Sequence, residues 1–328
     1  MKLRFTASIV AALACLLGLP APQRCLAQTG VRDAIFQSAL PLYADNSPAP
    51  LDPEITSTGA FPECTWQKVV YTGKTDRVPG LLFLPAGRSK PVACILLLHG
   101  LGGNKEQLIP LARFLASIGY ASWAIDDVGS GERALPGHSF PSYSSLGDLT
   151  AGVTTETSTT IVDMRRGLDY LETRPEIDHR KFGLMGFSLG ALLGGILGAV
   201  EPRLDAAILV SGGGDLGQIL VGEAKTDVAF GKIYQSLLES ADPNTLEQGL
   251  ENIDPINFVG HISPRPLLME HGRLDKIIPA DTAEALFDAA RQPKVIDWYP
   301  DAGHIPPPLE LYPSISIFLD KYLPLPGR

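Results

Sequence analysis

A serine hydroxyl becomes a useful nucleophile at neutral pH only beside a base, and that base needs a carboxylate to fix its tautomer. One serine of this chain lies in a setting suited to the role. Gly186-Phe187-Ser188-Leu189-Gly190 fits the pattern G-x-S-x-G. The residues before it, Lys181 to Met185, are short and apolar like a buried strand. Those after it, Ala191 to Ala199, are apolar and small like a buried helix. Strand, sharp turn and helix form the context in which the pattern presents its serine. Gly186 and Gly190 suit that turn because a side chain at either would clash where strand and helix nearly touch.

The chain has six histidines. One recurring triad arrangement runs serine, acid, histidine along the sequence, with acid and base on loops after late strands. His304 fits it, in Pro300-Asp301-Ala302-Gly303-His304 directly after an apolar run. Asp275 fits it too, in His271-Gly272-Arg273-Leu274-Asp275-Lys276-Ile277-Ile278-Pro279 after the preceding run. Asp301 is the runner-up acid, too close in sequence to reach around the imidazole easily. An acyl-transfer site also needs two backbone N–H groups aimed at the developing oxyanion. Leu189, after the serine, should supply one. Leu101, in His99-Gly100-Leu101-Gly102-Gly103, should supply the other. His99 is then structural, packing or bonding under that loop. His138 lies in a polar insertion and could line the site, while His179, His261 and His271 read as surface or satisfied residues. No group of residues has metal-ligand spacing, and no phosphate-cradling glycine loop stands in a strand context. No cofactor is expected.

The elements around these residues alternate. Ala93–Leu98, Tyr120–Ile125, Lys181–Phe187, Ala206–Val210, Pro266–Glu270 and Val295–Tyr299 read as strands. Lys105–Ile118, Thr157–Thr173, Leu189–Val200, Ala280–Ala290 and Ser314–Tyr322 read as helices. That alternation argues for a mostly parallel sheet covered on both faces. Gln67–Tyr71 and Val78–Leu84 read as a hairpin joined by a polar connection. Val128–Glu156 reads as a polar excursion. Gly213–Ser263 has a helical pattern and is long enough for a small cap. If it covers the site, Phe230, Ile233 and Tyr234 favour a small or medium acyl chain.

The chain has 328 residues, 45% hydrophobic and 19% charged, ample for one large globular core. A net charge of −9 with no long basic run argues against nucleic-acid binding. Lys2 and Arg4, the apolar Ile9–Leu19 and then Cys25-Leu26-Ala27 read as a cleavable secretory leader over residues 1–27, cut after Ala27. The rival reading is an uncleaved N-terminal anchor. Cleavage removes Lys2, Arg4 and Arg24 and no acid, which lowers the charge from −9 to −12. Cys64 and Cys94 remain. They could pair in an oxidising compartment, but Cys94 sits in a central strand pattern, which favours a buried free thiol.

These features together resemble the α/β-hydrolase superfamily from about Gln67 to Tyr322. The matching stretches are His99–Gly103, Asp126-Asp127-Val128-Gly129-Ser130-Gly131-Glu132-Arg133, Gly186–Gly190, Gly272–Pro279 and Ala302–His304. Ile177–Gly183 makes the chain similar to the dienelactone-hydrolase-like and acetyl-xylan-esterase-like group. True dienelactone hydrolases use cysteine where this chain has Ser188, and dehalogenases and epoxide hydrolases use aspartate. The resemblance implies an α/β-hydrolase fold with a small helical cap. It also implies ester hydrolysis through an acyl-enzyme, with a small-molecule ester as partner. The expected organisation is a leader over 1–27, an N-terminal arm over 28–66, and a hydrolase domain over 67–328 with a cap at 213–263. A secreted or periplasmic serine esterase follows, with no stable membrane insertion once the leader is cut. Serine peptidase and acyltransferase activities of the same fold stay open, as does a non-catalytic binding relative. Nothing in the sequence fixes the oligomeric state.

Overall fold

The computed structural model describes residues 21–46, 49–134, 143–223, 235–239 and 241–325, with backbone alone for 21–27, 223, 239, 243 and 244. The leader residues up to 20, His138, and Phe230, Ile233 and Tyr234 lie outside the described residues.

Nine strands form one sheet: β1 (Glu54–Phe61), β2 (Cys64–Thr72), β3 (Arg77–Pro85), β4 (Val92–Leu98), β5 (Ala121–Ile125), β6 (Ile177–Phe187), β7 (Leu204–Val210), β8 (Leu267–Gly272) and β9 (Lys294–Tyr299). Their order across the sheet is β1-β2-β3-β5-β4-β6-β7-β8-β9. β5, β4, β6, β7, β8 and β9 pair in parallel, and β1 to β3 add an antiparallel margin beside β5. The hairpin expected near Gln67–Leu84 is present, with Thr72 opposite Arg77.

The helices are α1 (Ala21–Ala39), α2 (Ile109–Ser117), α3 (Leu146–Leu171), α4 (Leu189–Val200), α5 (Leu216–Glu223), α6 (Gln235–Glu239), α7 (Pro243–Leu250), α8 (Ala280–Ala289) and α9 (Pro308–Tyr322). β4 shows why both faces need cover, since every one of its residues is buried. Cys94, Leu96 and Leu98 join the core that holds Trp123, Met164 of α3, Ile196 of α4 and Leu286 of α8. Ala93, Ile95 and Leu97 point the other way, to Leu115 of α2 and Phe318 of α9. Successive strand residues alternate faces. Cys94 and Cys64 fall in these opposite cores, and both are free thiols.

The N-terminal segment, expected as an arm, contains α1 and then β1, a sheet-edge strand that the sequence pattern did not suggest. Phe36 of α1 stacks on His261 with ring centroids 3.7 Å apart, and the Tyr43 hydroxyl donates to Asn252 O at 2.6 Å. The polar Val128–Glu156 stretch also differs, because α3 begins at Leu146. Ser145 caps that helix by accepting from Asp148 N–H. α9 starts at Pro308, before the expected Ser314. Proline is tolerated in a first helical turn, where its missing N–H would have had no partner. Between β7 and β8 the described residues include α5, α6 and α7, and buried Asp254 fixes the start of α5 by accepting from Leu216 N–H at 2.8 Å. Burial raises the Asp254 carboxyl to a pKa of about 6.

Candidate active site

β6 runs into Ser188, and Ser188 runs into α4. Ser188 has φ 55° and ψ −120°, a left-handed conformation that a residue with a Cβ adopts only under constraint. The glycines around it allow the close approach. A Cβ on Gly186 would lie 2.0 Å from Gly190 O, and one on Gly190 would lie 2.3 Å from Leu98 O. Ser188 N–H donates to Val210 O at 2.9 Å, which ties the turn to the end of β7.

The turn presents Ser188 Oγ to His304 Nε2 at 2.8 Å. His304 Nδ1 lies 2.8 Å from Asp275 Oδ2. A proton on Nδ1, donated to the carboxylate, leaves Nε2 free to accept from the serine. Asp275 is itself held firmly. Its Oδ1 accepts from Ile277 N–H at 2.8 Å and Ile278 N–H at 3.0 Å, so one oxygen binds the loop and the other serves the imidazole. The two loops are joined by Leu274 N–H donating to Ala302 O at 2.9 Å. Sequence reasoning brought Ser188, His304 and Asp275 to one place, and the geometry has them in one hydrogen-bonded line. Asp301, the runner-up, is exposed.

His271 read as a bland residue, yet it lies behind the carboxylate. Its Nε2 is 3.6 Å from Asp275 Oδ2 and 3.0 Å from Ile278 O. Burial pushes its pKa below the usual imidazole value. Its position two residues before the loop turns was the available signal.

The His99–Gly103 loop passes directly beside the serine. A Cβ on Gly100 would sit 3.4 Å from Ser188 Cβ. His99 is buried beneath, with Nδ1 2.9 Å from Gly100 O, while its Nε2 accepts from Asp127 N–H at 3.2 Å. The ring therefore bridges the loops after β4 and β5, as its structural reading requires. Leu101 stands on this loop, and Leu189 is the first residue of α4, where backbone N–H groups lack helical partners.

A layer of buried charge supports the loops, and the hydrophobic pattern gave no sign of it. Lys105 is fully buried. Its Nζ donates to Asp126 Oδ2 at 2.7 Å and Glu132 Oε1 at 2.6 Å. Asp126 also accepts from the Lys105 and Glu132 amides, each at 2.9 Å. Arg133 Nη2 reaches Asp76 and Asp163, each at 2.7 Å. Neither Asp127 carboxylate oxygen has a hydrogen-bond partner among the described residues, and burial raises that carboxyl's pKa.

Comparison with known proteins places the chain in a family. The sequence profile of the dienelactone hydrolase family matches residues 78–305. The chain belongs to the dienelactone hydrolase family. The matched span of this family member runs from β3 to just past His304, so it takes in Ser188, Asp275 and His304. The YfhR protein of Salmonella typhi is 24% identical over 242 residues, covering 73% of this chain and 74% of its own. Among solved structures, the acetyl xylan esterase from Paenibacillus sp. R4 superposes with a TM-score of 0.72 at 21% identity. That match covers 88% of this chain and 94% of the other. Acetyl xylan esterase 1 from Thermoanaerobacterium gives 0.69 at 19% identity, covering 88% and 92%. Likeness at such identity establishes a shared α/β-hydrolase fold. No group of three or more potential metal ligands occurs among the described residues, and no described helix is long and apolar enough to cross a membrane.

Proposed function

We propose that this family member is a carboxylic ester hydrolase acting through an acyl-enzyme on Ser188. The observation that carries the reading is the unbroken line Ser188 Oγ–His304 Nε2 and His304 Nδ1–Asp275 Oδ2, each contact 2.8 Å. Ser188 Oγ attacks the ester carbonyl while His304 Nε2 takes its proton. Asp275 holds the ring in the right tautomer and stabilises the imidazolium. The Leu101 and Leu189 amides receive the oxyanion. His304 then protonates the departing alcohol. Water, deprotonated by the same nitrogen, attacks the acyl carbon, and its proton returns to Ser188 as the acid leaves. The steps need no cofactor.

Membership of the dienelactone hydrolase family and structural neighbours called acetyl xylan esterases support short acyl groups as substrates. The helices within 213–263 serve as a cap over the site. Residues 1–27 direct export and are cut after Ala27, which makes the enzyme secreted or periplasmic.

The test is hydrolysis of p-nitrophenyl esters of increasing chain length by wild-type protein and a folded Ser188→Ala variant. Activity on short esters that is lost in the variant supports the reading. Equal rates for the two proteins, or no turnover of any ester by folded wild-type protein, count against it. Added short alcohols separate hydrolysis from acyl transfer, because transfer diverts product from acid to a new ester.

A further inference from the structure

β7 ends at Val210, and the next residue, Ser211, is fully buried with φ +55°. Glycine is the residue that adopts such a conformation without cost. Three glycines follow at once, Gly212 to Gly214, yet a serine holds the strained place. Its contacts give the reason. Ser211 N–H donates to Glu270 O at 2.8 Å and so fixes the residue to β8. Its hydroxyl donates to the main-chain carbonyl of His304, 93 residues away. The neighbouring strand β6 also ends in a serine at φ 55°, Ser188, whose hydroxyl meets the His304 ring. Two adjacent strand ends thus address one histidine, one at its ring and the other at its backbone.

The opposite side of the His304 loop is held through Ala302 O and by the tight passage at Gly272, where a Cβ would lie 2.0 Å from Gly303 O. His304 itself follows a glycine and is partly exposed, so packing alone does not fix its ring. One imidazole must meet two partners at 2.8 Å on opposite edges. That demands a main chain set to within about half an ångström.

We propose that Ser211 is a positioning residue for His304. Its hydroxyl holds the His304 carbonyl so that Nδ1 stays on Asp275 while Nε2 stays on Ser188. The proposal rests on His304 being the base of the esterase reading. The described titratable groups beside the ring are Asp275 and, behind that carboxylate, the buried His271.

The test uses Ser211→Gly and Ser211→Ala. Glycine removes the hydroxyl and relieves the backbone strain, whereas alanine removes the hydroxyl and keeps the strain. We expect Ser211→Gly to melt no lower than wild type, with kcat reduced by about ten- to a hundredfold at unchanged KM. The acid limb of its pH profile moves to lower pH, because an imidazolium loosened from Asp275 is less stabilised. NMR titration of His304 in substrate-free protein should show the same downward shift in both variants. A merely structural hydroxyl would change the melting temperature and leave the His304 titration in place. Wild-type kcat in Ser211→Gly overturns the proposal, and so does an unchanged His304 titration. If the glycine variant fails to fold, the alanine variant gives the same readouts. Wild-type protein that cleaves no ester would sink the esterase reading, and the NMR titration would still decide the role of Ser211.

Discussion

Replacing Asp275 by asparagine tests the proposed site more sharply than replacing Ser188. The carboxylate divides its work, with Oδ1 taking the Ile277 and Ile278 amides and Oδ2 facing His304 Nδ1. An asparagine can satisfy the two amides only by placing its oxygen at the Oδ1 position. The reverse flip would aim an NH2 group at two N–H donors. The NH2 therefore faces His304, which must turn a lone pair toward it and move its proton to Nε2. That nitrogen can no longer accept from Ser188. Forcing this wrong tautomer costs on the order of 10⁴ in kcat in a known serine protease, equivalent to about 5 kcal/mol of barrier. A similar loss is expected here. The fold should be nearly untouched, since both loop amides keep an acceptor.

Asp275→Ala supplies the contrast. It strips the same two amides, each costing about 1–3 kcal/mol when left unpaired in a buried place. In a protein of this size 1 kcal/mol moves Tm by roughly 1.5–2 °C, so the alanine variant should melt at least several degrees lower. The assay is ester hydrolysis at saturating substrate beside a thermal melt of each variant. An asparagine variant that keeps more than a tenth of wild-type kcat would refute the reasoning and move attention to another carboxylate.

Two further outcomes concern Lys105 and Glu270. Lys105→Met leaves Asp126 buried without its cation, a change worth about 3–5 kcal/mol. Thermal melts should show a fall of roughly 5–10 °C, partly recovered when Asp126→Asn is added. Glu270 is fully buried beside the Tyr299 hydroxyl, which donates to it at 2.6 Å, and burial lifts its pKa from 4.5 to about 7. Folded protein thus holds this proton more tightly than unfolded protein, so stability falls as pH rises from 4.5 toward 7 and levels off above that. Glu270→Gln, which can still accept from Tyr299, should remove that fall and leave melts near pH 4 unchanged. Parallel pH profiles for the two proteins would show that Glu270 does not titrate this way.

What was legible in the sequence was whatever a local pattern dictates. Leu189–Val200 is apolar throughout, and its helix has the expected bounds. Ser188 stood out because its two glycines answer a backbone crowding visible from spacing alone. Asp275 and His304 followed from chain order. β1 escaped because Glu54–Phe61 is an edge strand with mostly exposed residues, so it lacks the alternation by which a half-buried strand is recognised. The first turns of α3, from Leu146 to Glu156, escaped because Gly147, Thr150, Gly152, Thr154 and Thr155 are weak helix formers that read as a polar loop. Thr160 accepts from Val128 N–H at 3.1 Å, a contact across 32 residues that no helical period can announce.

The same cause explains the unseen part of the site. Reading a sequence assumes that apolar residues lie inside and charged ones outside. That assumption fails in the layer beneath the loops at the strand ends, where Lys105, Asp126, Asp127, Asp163, Glu270 and His271 are all buried. Several parallel strands end here together, and each must pass into a loop whose backbone groups have lost their ladder partners. Buried amides need acceptors whatever the side chains around them. Asp126 answers the Lys105 and Glu132 amides, Asp275 answers those of Ile277 and Ile278, and His99 answers that of Asp127. Each such acceptor is chosen by a loop distant in the chain or by a turn whose shape depends on the folded sheet. The polar layer beneath Ser188, Asp275 and His304 is therefore specified by the fold as a whole, whereas the turn that presents Ser188 is specified by five residues.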